Sequence, residues 1–166
     1  ELNSNAKVIK IVIEKIDDEY FTDKVSDSKI KESILSSDNS EEFLIENAKR
    51  EEIKTTASGL QYEILRLGMR GVKAEKEYVV TIHYQASFIN GEVYDSSIEK
   101  EPVSFPLNAP NGTIRGLHEG IELMSIGDQY KFYIPAKLAY GNSSPEGSPI
   151  PPGSTLVFVI ELTSLS

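Results

Sequence analysis

The sequence predicts an α+β protein: a domain of about 110 residues whose short strands wrap one helix, preceded by a small, mainly helical segment. Two observations carry this. Aromatic residues and glycines are scarce before Thr55 and frequent after it. Beyond Thr55, apolar residues alternate in short runs separated by turn residues, and only Ile114–Met124 keeps a helical period. The chain therefore divides into residues 1–54, helical and offered as a dimerisation region, and residues 55–166, the compact domain.

The elements follow in order. In Lys7–Ile16, Ile9, Val12, Ile13 and Ile16 fit a helix while Ile9, Ile11 and Ile13 fit a strand; the charged context selects helix. Ile30, Ile34 and Leu35 give a short amphipathic pattern after Ser26 or Asp27 as cap. Asp38 and Glu41 make a capping box for a helix over Glu41–Arg50, with Phe43, Leu44 and Ala48 on one side. Leu60–Leu67 reads as the first strand. Tyr78–Phe88 is a long one with Val80, Ile82, Tyr84 and Ala86 on one face, and Asn90-Gly91 turns the chain back. Val103–Leu107, Tyr130–Ile134 and Thr155–Leu165 complete the strands after Val93–Asp95. The helix points Leu117, Ile121 and either Leu123 or Met124 inward, with Gly127 past its end.

Composition excludes several functions. The net charge is −9 over 166 residues, and both parts are acidic, so neither offers the basic footprint that nucleic acid requires. No apolar run approaches the roughly 18 residues that span a bilayer. With no cysteine there is no disulfide and no thiolate nucleophile or metal ligand. His83 and His118 show no zinc spacing, so no metal and no cofactor is expected. Alternation puts His83 opposite Ile82 and Tyr84, in a surface or a satisfied structural role. Hydrolase elbows, P-loops and dinucleotide fingerprints are missing. The chain opens on Glu1 without an initiator methionine, which fits a removed signal peptide or a cloning boundary. Asn111-Gly-Thr113 and Asn142-Ser-Ser144 would be glycosylation acceptors in a eukaryotic secretory pathway, and so argue for a bacterial or cytosolic origin.

The last 29 residues look functional. A tyrosine precedes a glycine turn, a flap follows, and an apolar strand Leu156–Leu162 ends it. Gly141, Gly147 and Gly153 give the flap permissive backbone while Pro145, Pro149, Pro151 and Pro152 stiffen it. Such a loop reads as the rim of an apolar pocket. Tyr84, Tyr94, Val103, Ile114, Leu117, Tyr140, Ile150 and Phe158 are the pocket candidates, although each taken singly reads as plain core. The tyrosines weigh more, because a phenol lines a pocket while its hydroxyl meets a polar group. Asp95, directly after a strand, is either a turn-capping residue or a carboxylate that holds a hydroxyl or polarises a bound amide.

Together, Val79-Val-Thr-Ile-His-Tyr84, Gly91-Glu-Val-Tyr-Asp-Ser-Ser97, Ile114-Arg-Gly-Leu-His-Glu-Gly120, Ile134-Pro-Ala-Lys-Leu-Ala-Tyr-Gly141 and Ile150-Pro-Pro-Gly-Ser-Thr-Leu-Val-Phe158 resemble the FKBP-type peptidyl-prolyl cis-trans isomerases. The resemblance covers roughly Ser58–Leu165, in order. Ala57-Ser-Gly-Leu-Gln-Tyr62, preceded by Glu46-Asn-Ala-Lys49, is similar to the Mip/FkpA branch from bacterial cell envelopes. The resemblance implies a bent antiparallel sheet around one short helix, and rotation of X-Pro bonds in proline-containing polypeptide clients. Macrolide inhibitors and a homodimer through the N-terminal segment come with it as expected partners, and the envelope, with the cytoplasm as alternative, as location.

Carried over by position, Asp95, Tyr140 and Ile114 would be catalytic, with Asp95 buried against Tyr84. Tyr84, Tyr94, Val103, Leu117, Ile150 and Phe158 would bind substrate. Leu117 replaces the tryptophan that most active members carry, and Tyr94 and Val103 stand where several have phenylalanine. The basic residue that pairs with the aspartate has no counterpart in Ile98-Glu-Lys-Glu101, and the flap is longer than usual. Turnover is therefore expected to be reduced. A client-holding module without turnover is the alternative.

Overall fold

The computed structural model describes residues 37–68, 71–109, 112–143 and 145–166. The patterns read in Lys7–Ile16 and around Ile30–Leu35 lie outside the described residues, as do Asn111 and Ser144 of the two glycosylation triplets. The elements run α1 (Ser37–Asn47), β1 (Lys54–Thr55), β2 (Gln61–Arg66), β3 (Val79–Phe88), β4 (Val93–Ser96), β5 (Val103–Pro106), α2 (Arg115–Ile121), β6 (Gln129–Ile134) and β7 (Leu156–Leu165), with a 3₁₀ turn at Ala136–Leu138. All strand pairs are antiparallel, in the order β1-β2-β6-β7-β3-β4, and β5 pairs with β3.

Strand β3 organises the sheet. Its whole length pairs with β7, while its other edge takes β5 opposite Val79–Ile82 and β4 opposite Gln85–Ser87. Its inner positions Val80, Ile82 and Ala86 are buried, as the alternation predicts. On β7 the same period sends Leu156, Phe158, Ile160 and Leu162 into the core. The register then skips Thr163, whose hydroxyl donates to Thr81 O at 2.9 Å, and the bulge brings Leu165 rather than Ser164 back to the core side.

One face of β6 receives α2 and the other receives α1. Leu117 and Ile121 of α2 join Phe132 and Ile134 in the main core. Behind the sheet, Phe43 and Leu44 of α1 pack with Ile53 on Tyr133, Val157 and Ile89. All six residues of β6 are buried, because both faces are covered.

Both helices differ from their predicted bounds. Helix α2 stops at Ile121, three residues early, and Leu123 and Met124 continue as turns. Met124 still reaches the core and is fully buried, with Leu123 partly buried against the same cluster. Helix α1 starts at Ser37, so Asp38 lies inside it rather than at its cap, and Ala48 falls beyond its end and is exposed. The reason is that its inward face is half polar: Ser40 and Asn47 flank Phe43 and Leu44 at helical spacing and are themselves buried. The Ser40 hydroxyl accepts Thr155 N–H at 3.0 Å, and the Asn47 amide donates to Gln61 Oε1 at 2.9 Å. Gln61 in turn donates to Leu44 O at 2.8 Å.

The segment after α1 is tied by charge. Arg50 meets the buried Glu63 carboxylate at 2.9 Å and donates to the Tyr133 hydroxyl at 3.1 Å. Tyr133 donates to Glu63 at 3.3 Å; burial and then the Glu63 charge raise its phenol, which keeps the proton.

Candidate active site

The Tyr-Asp-Ser-Ser stretch of β4 sets the site against β3, with Ala86 opposite Asp95 and Gln85 opposite Ser96. The Tyr84 hydroxyl donates to Asp95 Oδ2 at 2.7 Å, and Asp95 Oδ1 accepts the N–H of Ser96 at 2.9 Å. Ser97, which the sequence reading passed over, fixes the backbone beneath: its Oγ accepts Tyr84 N–H at 2.9 Å while its own N–H donates to Tyr84 O at 3.0 Å. It also meets His83 Nδ1 at 3.0 Å. His83 is buried on the outer face, so the surface alternative is overturned; its role is structural but satisfied at Nδ1 alone, since Nε2 is buried without a hydrogen-bond partner among the described residues. Its pairing with Ser97 could not be read from alternation.

Asp95 is exposed, not buried as expected. It holds the phenol from the rim, because β4 is the edge of the sheet there. Burial, followed by the hydrogen bond to Asp95 and its charge, pushes the Tyr84 phenol from 10.0 up to about 12. Tyr84 thus stays a neutral donor through the physiological range.

Around this pair, Phe158 of β7 packs on Tyr84 with ring centroids 6.2 Å apart, and Phe88 packs on Tyr94 at 4.7 Å, both pairs tilted. Ile114, Leu117, Ile150 and Phe158 belong to the main buried cluster, with Tyr84 and Tyr94 packed against it. Ile114 caps α2 in an extended conformation with φ −69° and ψ 149°, which leaves its N–H outside the helical ladder. The flap that supplies Ile150 is closed by Gly153 N–H donating to Gly141 O at 2.8 Å. Both glycines have positive φ, 75° and 60°, which an L side chain rarely adopts.

Tyr140 is 42% exposed at the start of that flap, near enough to Tyr94 to help raise its phenol after burial. Val103 sits on β5 opposite Ile82, is 40% exposed and lies outside the buried cluster. Two surface clefts of about 390 and 460 Å³ include none of the nine predicted residues.

The support of α2 is likewise illegible in the sequence. Glu119 accepts hydrogen bonds from Thr56 at 2.5 Å and from Ser58 at 2.7 and 2.8 Å, which ties the linker to the helix that carries Leu117. Separations of 63 and 61 residues leave no local signal for it. No group of three or more His, Asp or Glu side chains among the described residues could hold a metal ion. Likewise, no helix among them is long and apolar enough to cross a membrane.

The family model for FKBP-type peptidyl-prolyl cis-trans isomerases matches residues 71–163, more than half of the chain. The chain belongs to this family. A second model, for the domain amino-terminal to FKBP-type isomerases, matches residues 2–64. FkpA of Aeromonas hydrophila, named an FKBP-type isomerase, is 40% identical over 136 residues, 81% of this chain and 48% of that protein. The FKBP-type 22 kDa isomerase of Escherichia coli is 41% identical over 124 residues, 74% of this chain and 58% of that protein. The chain thus spans about half the length of these curated relatives.

Among solved structures, FkpA from Escherichia coli superposes with a TM-score of 0.70 at 27% identity, covering 99% of this chain and 87% of its own. An isomerase from Pseudomonas syringae gives the same TM-score and identity, covering 81% and 95%. The antiparallel sheet with its short helix is the fold of these FKBP structures, as the resemblance implied.

Proposed function

We propose that this chain is a peptidyl-prolyl cis-trans isomerase that speeds X-Pro rotation in proline-containing polypeptide clients and so assists their folding. The observation that carries the reading is the Tyr84–Asp95 pair beside Phe158, with Tyr84 packed against the buried cluster that includes Ile114, Leu117 and Ile150, in a member of this family.

The physics needs no nucleophile. The barrier to rotation is about 18–20 kcal/mol, mostly lost amide resonance. A twisted amide is less dipolar than either planar form, so an apolar, water-poor surface disfavours the ground states relative to the transition state. Removing about 5–7 kcal/mol accelerates rotation by roughly 10⁴–10⁵. Leu117, Phe158, Ile150, Tyr84, Tyr94 and Val103 form the surface for the proline and its neighbours. Tyr140 donates to a substrate carbonyl, and the Ile114 N–H, outside the helical ladder, offers a second donor. Asp95 fixes the Tyr84 phenol and adds an oriented field. Macrolides would compete for the same surface.

The test is X-Pro exchange followed by NMR at micromolar protein, with wild type and Asp95→Ala. Acceleration by wild type that falls with the substitution supports the reading; no acceleration by wild type rejects it.

Leu117 favours a second reading, a client-holding module. A leucine floor presents less apolar surface than the indole of most active members. Suppression of client aggregation that survives substitution of Leu117 or Asp95 would select it. Residues 1–54 serve either reading as a dimerisation region, and light scattering of the same sample measures that mass. A bacterial envelope location rests on the kinship with FkpA and Mip proteins.

A further inference from the structure

We propose that the Tyr94 hydroxyl selects substrates, favouring proline segments that carry an uncharged hydrogen-bond acceptor, a carboxamide or hydroxyl oxygen, beside the proline. The inference rests on the isomerase reading of the same site and names its preferred substrate class. Two phenols stand together here with opposite fates. Tyr84 donates to Asp95 at 2.7 Å, whereas the Tyr94 oxygen is buried and has no hydrogen-bond partner. The Tyr94 ring is anchored on Phe88 at 4.7 Å, so the hydroxyl cannot swing freely to find one.

A desolvated donor without an acceptor is unfavourable, and a ligand that brings the acceptor relieves it. Phenylalanine would fill the same volume without that penalty, which singles out the oxygen as the functional part. Burial, then Tyr140, Asp95 and Tyr84, hold the phenol well above its ordinary value, so it remains a donor. On this proposal an incoming segment displaces Tyr140, a rim side chain near enough to raise the Tyr94 phenol and 42% exposed. The adjacent Asp95 carboxylate opposes an anionic acceptor, which leaves the uncharged ones. A site built to pair a polar group discriminates against ligands that leave it unpaired.

The experiment uses the full chain, wild type and Tyr94→Phe, with two series of proline peptides. Gln, Met or Glu occupies the position before proline in one series and after it in the other. NMR exchange gives kcat/KM, calorimetry gives Kd, and thermal melts are recorded for both proteins. Wild type should favour Gln over Met by about tenfold in at least one series, with Glu below Gln, and Tyr94→Phe should bring the Gln-to-Met ratio close to one. The variant should melt about 2–4 °C higher, because a buried unpaired hydroxyl is gone.

Equal Gln-to-Met ratios in the two proteins, or a lower melting temperature for the variant, overturn the inference and leave the isomerase reading standing. Selective binding without turnover keeps the inference on its Kd arm and rejects the isomerase reading alone. Absence of binding by every peptide overturns both.

Discussion

Helix α2 lies close against β6 because two residues on its inner face have no side chain. Gly116 and Gly120, one turn apart, face Ile134 and Phe132. A Cβ on Gly120 would stand 2.6 Å from Phe132 Cε1 and 2.9 Å from two more ring atoms. Phe132 is fully buried and hemmed by Tyr130 and Tyr62, at centroid distances of 5.9 and 6.3 Å, so its ring cannot move away. Gly120→Ala therefore overpacks the core, at about 1–3 kcal/mol. Alanine recovers about 0.5–1 kcal/mol through its better helix propensity. Mid-range values leave a net loss of about 1 kcal/mol, a melting temperature about 2–4 °C lower. Isomerase activity should fall with it, since the displaced helix carries Leu117. Calorimetric melts and NMR exchange on one preparation measure both. A variant that melts at or above the wild-type temperature would refute the argument that the bare helix face sets the packing distance.

Asp95→Asn should lower the Tyr84 phenol from about 12 toward 10.0, read by ultraviolet titration, though burial, the first cause, keeps part of the rise. The Tyr84 contribution to stability is complete below pH 10, because its folded value exceeds the unfolded one, and is lost as pH rises toward about 12. An unchanged Tyr84 titration in the variant would remove Asp95 from the explanation. Arg50→Met strands the Glu63 carboxylate, which is 7% exposed and 2.9 Å from the guanidinium. The expected loss is about 1–3 kcal/mol in urea unfolding, with weaker amide protection in α1. Glu63→Gln in the same background should restore much of it; purely additive losses would mean the pair is uncoupled.

Most strands were legible because their information is local. Alternation along Val79–Phe88 marks its buried face, and Asn90-Gly91 turns the chain with Gly91 at φ 84°. The Tyr-Asp-Ser-Ser stretch was legible as a motif, with Asp95 as the carboxylate that holds a phenol, whereas the lock that Ser97 puts on the backbone beneath was not. Helix α1 was misplaced because Ser40 and Asn47, polar and buried, break the apolar period that marks a helix face. The end of α2 was overrun for the opposite reason, since Met124 keeps the apolar period after the helical hydrogen bonds have stopped.

By itself the sequence determined which segments are strands, where the short helix falls, and in what order the motifs stand. Period, turn chemistry and motif order are properties of neighbouring residues. Only the tertiary structure decided that Asp95 works from an exposed edge and that Arg50 reaches Tyr133 across 83 positions. It likewise decided that one phenol is paired and its neighbour is not. Burial and partnership depend on what the rest of the chain brings alongside, and no local pattern encodes that.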